Sequence, residues 1–343
     1  MTHIHRSSPD AIRLTRRAAS LALATGVVLA AMPSTRAEQA TPSPAAPRAW
    51  TSGSPLPIAR SEFPATALDG MIYVAGGFGA ETAFTRLDPL TGAWKDLVPL
   101  PAPRHHLGLA ALDGGIYAIG GHDDRHSATE TAWRYDPTTD TWNDLPPLPQ
   151  GPRGALGCAA LDGRILTVGG SSGDLSGPAT ADVAAFDPAS GSWSMLPPMP
   201  TAREHLAVAV AGSVLVAIGG RDGGRFDPTM DTAVERYDPA SATWSTGSAM
   251  PDGRSGMGVA TDGASIVILG GEGREGNAGI YDRVQRYDVA ADTWSDLPNL
   301  PVARHGIAAA IADGVLYAIG GSTSAFTVEN TDEVDQLTLP LAG

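Results

Sequence analysis

Arginine and histidine side chains recur at matched positions along the chain, and this pattern indicates where chemistry could take place. An arginine recurs at regular intervals, and four histidines follow such an arginine by one or two residues. The arginines are Arg60, Arg104, Arg153, Arg203, Arg254 and Arg304. The histidines are His105, His106, His205 and His305. Guanidinium groups bind carboxylates and phosphates, and imidazoles bind metals or move protons, so these positions are candidates for ligand binding.

A second polar cluster lies in the segment Gly121-His122-Asp123-Asp124-Arg125-His126. His122, Asp124 and His126 are of the types that bind transition metals or act as acid and base. Their spacing matches no specific metal motif, so a solvated polar loop is the alternative interpretation. Glu204, beside His205, is a further candidate for ligand binding. No cofactor is predicted from these residues.

These side chains belong to a repeated unit. In each copy an apolar run ends in a glycine pair, and a tryptophan accompanies each copy at a fixed place in the repeat. The glycine pairs are Gly76-Gly77, Gly120-Gly121, Gly169-Gly170, Gly219-Gly220, Gly270-Gly271 and Gly320-Gly321. The tryptophans are Trp50, Trp94, Trp142, Trp193, Trp244 and Trp294. A period of roughly 50 residues is typical of a β-propeller rather than of a helical solenoid.

One repeat contains four short runs that favour strands. The first extends from Arg104 to Leu112 and ends at Asp113-Gly114, a pair that favours a tight hairpin. The others are 116–119, 131–135 and 141–145, separated by turn residues. None is long enough for a helix, so the sequence predicts an all-β fold with four antiparallel strands in each repeat.

The glycine pair with Tyr-Asp-Pro and Trp downstream resembles the kelch repeat, at six positions and across nearly all of residues 49–343. The motif departs where Leu87 and Phe186 replace Tyr and Val289 replaces Pro. The resemblance implies a six-bladed kelch-type β-propeller. The first repeat has a tryptophan strand before it and the last repeat lacks one. We therefore expect the N-terminal strand around Trp50 to complete the last blade and to close the ring.

Strand direction places the six arginines on one face. The first strand of each blade begins on the side where the second strand ends, so every arginine lies on that side near the axis. Two interpretations follow. The arginines hydrogen-bond within the propeller, or they form a basic collar around the central channel that attracts anionic or carbonyl-bearing ligands. Glycines and tryptophans occur in every repeat, and we expect them to build the blades.

The N-terminal residues 1–37 are predicted to be an export signal. Basic residues precede the apolar run Ala18–Ala31, and Thr35-Arg36-Ala37 offers a cleavage site. The pair in Thr15-Arg16-Arg17 resembles a twin-arginine signal. Sec export and a retained membrane anchor are the alternatives. Residues 38–48 then form a short spacer, and we expect a periplasmic or secreted protein with no membrane span after cleavage.

Composition narrows the class of partner. The chain has 23 basic and 37 acidic residues, a formal net charge of −14, which argues against nucleic acid and anionic membranes as partners. The single cysteine, Cys158, lies among small apolar residues and cannot form an internal disulfide. We expect it to be a buried small hydrophobic side chain rather than a reactive thiol.

Kelch propellers often serve in binding, and that resemblance supports the leading hypothesis. It is an exported, monomeric binding module that recognises a carbohydrate, a peptide or an envelope protein through the face that bears the arginines and histidines. Two enzymes are alternatives by resemblance. An N-acetylneuraminate epimerase would use the arginines to hold a sugar carboxylate and a Glu or His to move a proton. A galactose oxidase-like copper oxidase would need a cysteine joined to a tyrosine beside two histidines.

Overall fold

The chain forms six four-stranded antiparallel sheets, the blades of a propeller. This computed structural model describes residues 49–223, 229–273, 279–325 and 329–339. The predicted export signal and spacer, residues 1–48, lie outside the described residues. Within the described ranges, no helix is long and apolar enough to span a membrane. The all-β, six-bladed architecture predicted from the repeats is confirmed.

The strands follow the chain in order, and each blade takes them from the axis outward. Blade 1 comprises β2 (Ala65–Leu68), β3 (Met71–Ala75), β4 (Phe84–Asp88) and β5 (Ala93–Asp96). Blade 2 comprises β6 (Gly108–Leu112), β7 (Gly115–Ile119), β8 (Ala132–Asp136) and β9 (Thr141–Leu145). Blade 3 comprises β10 (Gly157–Leu161), β11 (Arg164–Val168), β12 (Val183–Asp187) and β13 (Ser192–Leu196).

The second half of the ring repeats the arrangement. Blade 4 comprises β14 (Ala207–Ala211), β15 (Val214–Ile218), β16 (Val234–Asp238) and β17 (Thr243–Thr246). Blade 5 comprises β18 (Gly258–Thr261), β19 (Ser265–Leu269), β20 (Val284–Asp288) and β21 (Thr293–Leu297). Blade 6 comprises β22 (Ala308–Ala312), β23 (Val315–Ile319), β24 (Val334–Thr338) and the N-terminal strand β1 (Thr51–Ser52).

The two ends of the propeller meet in blade 6. Thr51 and Ser52 of β1 pair antiparallel with Gln336 and Asp335 of β24. Beyond the strand, the Gly53 amide donates a 2.7 Å hydrogen bond to the carbonyl of residue 334. The edge of β24 is therefore covered by the chain's own first strand, which removes an open edge available for pairing with another chain.

The first strand of each blade begins later than the sequence predicts. In blade 2 the apolar run starting at Arg104 was expected to be one strand, yet β6 begins only at Gly108. His106 has a φ of 54°, a left-handed conformation that cannot continue a strand. The residues before β6 instead turn across the end of the propeller, where they form part of the site described below.

The hydrophobic core lies between neighbouring blades. One cluster joins Val168 and Ala185 of blade 3 to Leu215 and Tyr237 of blade 4, and the other five blade interfaces have equivalent clusters. Because both faces of each second strand are covered, these strands are almost continuously apolar and buried. Burial between sheets is thus the main stabilising contribution of the repeat.

The tryptophan of each repeat connects one blade to the preceding one. The indole N–H of Trp142 donates a 3.2 Å hydrogen bond to the carbonyl of Val98 in blade 1, while its ring packs against Tyr135 of its own blade. Trp294 does the same toward Ser248, at 2.9 Å. The expected structural role of these tryptophans is confirmed.

The glycine pairs also connect blades through close backbone contact. Both glycines of each pair have positive φ, for example 63° at Gly169 and 91° at Gly170. The Gly170 amide donates a 2.9 Å hydrogen bond to the carbonyl of Arg203 in the next blade. A β-carbon on Gly169 would lie 2.5 Å from that same carbonyl oxygen. Glycine is therefore required here by conformation and by space.

Replacing Gly169 by alanine is expected to lower the free energy of unfolding by more than about 3 kcal/mol, because strain from positive φ adds to the clash with Arg203. Gly163 is a matched control at the other end of β11. Its φ is 69°, but a β-carbon there would meet nothing within 4 Å. Gly163→Ala should cost only about 1 kcal/mol. Urea denaturation of both variants measures the difference, and equal losses would show that close packing at Gly169 is unimportant.

Candidate functional site: a polar cluster around the propeller axis

Three positions of each blade reach the axis on the face where the first strands begin. They are the first and second residues after the repeated arginine and the residue that follows the glycine pair. The first and third form an isolated β-bridge in every blade. These bridges pair Ser61 with Phe78, His105 with His122, Gly154 with Ser171, Glu204 with Arg221, Ser255 with Glu272, and His305 with Ser322.

The second position forms a closed ring of backbone hydrogen bonds. Each amide donates to the carbonyl of the equivalent residue in the preceding blade, over distances between 2.8 and 3.1 Å. All six residues have φ between 50° and 59°. They are Glu62, His106, Ala155, His205, Gly256 and Gly306. A left-handed conformation is costly for the non-glycine members, and the ring geometry compensates by giving every polar backbone group a partner.

Charged side chains run around this ring as a connected network. The Glu62 carboxylate lies between two histidines, 3.2 Å from His106 Nε2 and 3.3 Å from His305 Nδ1. The latter is an ion-pair distance rather than a well-aligned hydrogen bond. His305 Nδ1 is also 3.8 Å from an oxygen of Glu272. The network therefore joins the first, second, fifth and sixth blades.

Arg221 continues the network through blade 4. Its Nη1 donates a 2.6 Å hydrogen bond to Glu272, and its Nε donates to Glu204. The other oxygen of Glu204 is 2.7 Å from His205 Nδ1. The His205 ring then contacts the His106 ring at a centroid distance of 4.7 Å. The circuit thus closes around the axis, with blade 3 contributing no charge at these three positions.

Protonation states differ around the circuit. Burial of His305 disfavours its charged form, but the close contact with the Glu62 carboxylate, together with the charge of Glu272, raises the His305 pKa to about 9. Burial also disfavours ionised Glu62, yet the surrounding histidines hold the pKa of its carboxyl far below the usual range. For His106, burial outweighs the attraction of Glu62 and lowers the pKa. At neutral pH, a protonated His305 and a neutral His106 therefore share one carboxylate.

The charge of His305 predicts a pH-dependent stability. A histidine whose pKa is raised by folding contributes stability fully below its unfolded value, near 6.5, and loses it as pH rises through 9. The wild type should lose about 1–2 kcal/mol more than His305→Gln across this interval. Denaturation at several pH values tests this, with His126→Gln as a control at an exposed position. Parallel pH profiles for wild type and His305→Gln would contradict it.

A cavity of about 580 Å³ lies within the ring of first strands. Glu62, His106 and His205 contribute to its lining, but most of its wall consists of small apolar side chains such as Ala159 and Val208. Cys158 belongs to this wall, and burial raises the pKa of its thiol to about 12. The cysteine is half-buried rather than fully buried as expected, but apolar surroundings keep it protonated, and it offers no support for a copper oxidase centre.

The arginines do not form a basic collar around the channel. Arg60, Arg203, Arg254 and Arg304 have no exposed surface. Each donates from its guanidinium to the carbonyl of the first glycine of its own pair and to a side chain of the third strand. These third-strand partners are Thr85, Glu235, Gln285 and Asp335. These guanidinium groups are hydrogen-bonded to polar groups inside the blades and are not accessible to a ligand.

The remaining two arginines have a modified version of the same role. Arg104 is buried, donates a 3.0 Å hydrogen bond to Thr131 Oγ1 and stacks over the Trp133 ring. Arg153 pairs with Asp182 at 2.7 Å and is partly exposed. The structure therefore corrects the basic-collar interpretation in favour of hydrogen bonding within the propeller.

Most other candidate residues do meet at the axis. These residues, at the three axial positions, are His105, His106, His205, His305 and Glu204, and His122 joins them through its bridge to His105. Asp124 and His126 are exposed in the adjoining loop.

Arg221 and Glu272 were not singled out as site residues from the sequence. Both immediately follow a glycine pair, so comparison of that position across the six repeats could have identified them.

The comparisons with known proteins agree with this architecture. A family model described as the KLHDC2/KLHL20/DRC7 Kelch-repeats domain matches residues 46–220 and again residues 157–337. The chain belongs to the kelch-repeat family. The kelch propeller is also similar to the solved structure titled "Structure of YjhT", with a TM-score of 0.71 and 18% identity over 82% of this chain and 95% of that one. At this identity the likeness concerns the fold.

Curated relatives share shorter stretches with the kelch propeller. Alpha-scruin of Limulus polyphemus is 38% identical over 94 residues, which are 27% of this chain and 10% of that protein. Kelch-like protein 35 of Mus musculus is 35% identical over 96 residues, which are 28% of this chain and 16% of that protein. The matched segments are thus a small part of these longer proteins.

Proposed function

We propose that this kelch propeller is an exported binding module that takes a carbohydrate or peptide ligand at the axial cluster formed by Glu62, Glu204, Arg221, Glu272 and His305. One observation carries the proposal. Each of these side chains occupies a position that other blades fill with different residue types, so blade construction does not require it. Polar residues that a scaffold does not need, gathered on one face of it, are best explained by recognition.

The charges of the cluster favour particular ligands. Three carboxylates face one arginine and one protonated histidine, so the cluster has a slight negative excess. Carboxylates accept hydrogen bonds, whereas guanidinium and imidazolium donate them. A ligand with hydroxyl, amide or ammonium groups satisfies this mixture better than a simple anion. This preference differs from the anionic ligand that a basic collar would have attracted.

The surroundings of the cluster support recognition of a ligand with an apolar face as well. The Phe78 ring packs at a tilt against His105, with a centroid distance of 4.1 Å, and against His126, at 5.7 Å. The residues directly after the glycine pairs lie on the same face, and the segments that follow differ in sequence between repeats. Aromatic and polar groups together are characteristic of sites that bind sugars or peptide side chains.

The proposal is tested by screening the purified protein against glycan and peptide arrays and by comparing two arginine variants on the ligands found. Arg221→Gln should weaken binding by about ten-fold or more, since charged hydrogen bonds are lost. Arg164→Gln is the matched control, because Arg164 begins β11 and lies on the opposite face. Thermal melting verifies folding of each variant. Equal binding by wild type and Arg221→Gln, or binding to neither array, would exclude the axial cluster as a carbohydrate or peptide site.

A second candidate is proton transfer on a sugar, of the N-acetylneuraminate epimerase kind. The observation that favours it is the pairing of Glu62 with a neutral His106 and a protonated His305. A neutral histidine can accept a proton and a protonated one can donate it, and the two beside one carboxylate are the elements of acid–base catalysis. Anomer-resolved NMR of N-acetylneuraminate should then show accelerated mutarotation, lost in Glu62→Gln. A rate equal to that in buffer would exclude this activity.

A further inference from the structure

Three histidines of blade 2 lie together at one side of the axial cluster. His105 and His106 follow Arg104, and His122 follows the glycine pair Gly120-Gly121. The two segments are held by reciprocal backbone hydrogen bonds between His105 and His122, of 3.1 and 2.8 Å. The imidazoles therefore project from backbone that is fixed on both sides, which is a requirement for a preorganised site.

The imidazole nitrogens converge. One ring nitrogen from each of the three histidines lies within 4.8 Å of the other two, and His105 Nδ1 is 2.5 Å from His106 Nδ1. A metal ion with bonds of about 2.0–2.1 Å to imidazole nitrogens could be shared by three such rings after small side-chain adjustments. The convergence alone does not identify a ligand, because neighbouring imidazoles can also hydrogen-bond to one another.

His122 supplies the independent observation. His122 is completely buried, and neither Nδ1 nor Nε2 of its ring has a hydrogen-bond partner. A buried polar group without a partner costs free energy, and native proteins rarely leave one so. An imidazole with both nitrogens unpartnered, one of them within 4.8 Å of a nitrogen of each of two other imidazoles, is the arrangement expected of a ligand whose partner is an ion.

The surroundings orient the rings. The Glu62 carboxylate lies 3.2 Å from His106 Nε2, which orients that ring with Nδ1 toward His105. A carboxylate behind a ligating histidine is a common second partner at metal sites.

The neighbouring blade leaves room for the His122 ring. Gly154 occupies the position that carries Ser, His or Glu in the other five blades. A β-carbon on Gly154 would overlap the His122 imidazole. The space next to His122 is thus shaped by a glycine that blade 3 alone has at this position.

We propose that His105, His106 and His122 bind a late first-row transition-metal ion, Cu²⁺ or Zn²⁺, through one nitrogen of each imidazole. Imidazole donors suit these ions, and three neutral nitrogens with no thiolate do not suit Mg²⁺ or Ca²⁺. Three protein ligands leave a further coordination position for a water or another group. This site adjoins the axial cluster proposed above and shares the Glu62 contact with it, but its three ligands are not among the five charged residues of that proposal.

The test uses the purified full chain, stripped with a chelator and titrated with Cu²⁺ and Zn²⁺ by calorimetry. We expect one ion for each chain, and an affinity reduced at least 100-fold in His122→Asn. His126→Asn is the matched control, an exposed histidine of the same loop, and should stay within about three-fold of wild type. Gly154→Ala should also weaken binding, because it displaces His122 without removing a ligand. Comparison of the two titrations decides between copper and zinc.

X-ray absorption of the metal-loaded wild type tests the site without relying on the folding of any variant. The expected first shell contains three imidazole nitrogens at about 2.0 Å. An oxygen-dominated shell, or the absence of stoichiometric binding of both ions, would overturn the proposal. So would full binding by His122→Asn with loss in His205→Asn, because Glu62, His106 and His205 form the other group of side chains close enough to hold an ion among the described residues.

Discussion

Replacing Arg203 by methionine is expected to lower the free energy of unfolding by about 3–5 kcal/mol. The Arg203 side chain has 0% exposure and that of Glu235, its ion-pair partner at 2.7 Å, has 4%. The guanidinium also donates to the carbonyls of Gly219 and Ala233. Methionine fills similar volume but leaves the buried Glu235 carboxylate and the Gly219 carbonyl without their partner, which is more costly than the loss of the pair itself.

The protein contains its own control for this substitution. Arg153 occupies the same repeat position, but its partner Asp182 has a side chain that is 38% exposed. Water can solvate Asp182 once the arginine is removed, so Arg153→Met should cost about 1 kcal/mol or less. Denaturant unfolding of both variants gives the comparison. Similar losses at the two positions would mean that burial of the acidic partner does not determine the contribution of these arginines.

Removing the N-terminal strand β1 is the second change with a large expected effect. A chain that begins after Ser52 loses the pairing with β24 and also Trp50, whose indole donates a 2.8 Å hydrogen bond to the carbonyl of Pro298 in blade 5. Trp50 packs against the core cluster between blades 5 and 6. Loss of this packing and pairing should reduce stability by about 3–5 kcal/mol.

The shortened chain should also associate. The edge of β24 becomes exposed, and unpaired strand edges promote pairing between chains. Light scattering after size-exclusion chromatography should detect dimers or larger species in the chain beginning at residue 53 but not in one beginning at residue 44. A shortened chain that matches this control in both melting temperature and mass would show that β1 has no part in closing the ring.

The fold could be predicted from the sequence more completely than the site. The tryptophans and glycine pairs could be assigned to blade structure because they occur in every repeat. The strand boundaries were less accurate at Arg104, since an apolar run does not reveal the left-handed conformation of His106. For the arginines, the chain alone left two interpretations open, because the side-chain direction of Arg203 depends on Glu235 in the third strand.

The candidate site could not be predicted without the closed ring, because its residues come from distant parts of the chain. Glu62 and His305 lie in the first and last blades, and they meet only because the propeller brings its ends together. The sequence places His122 in a polar loop with Asp124 and His126, yet the bridge to His105 holds its backbone at the axis and the side chain is buried. No local sequence pattern encodes either contact.

The sequence by itself determined the kelch repeat, the number of blades and the face on which the variable residues lie, because these follow from periodicity and strand direction. The tertiary structure decided which side chains are accessible and which meet. Six equivalent positions converge on one axis, so residues far apart in the chain come within hydrogen-bond distance there. The six arginines are equally prominent in the sequence, yet they are largely buried. Their guanidinium groups donate hydrogen bonds to the carbonyls of the glycine pairs and to polar groups of the third strands.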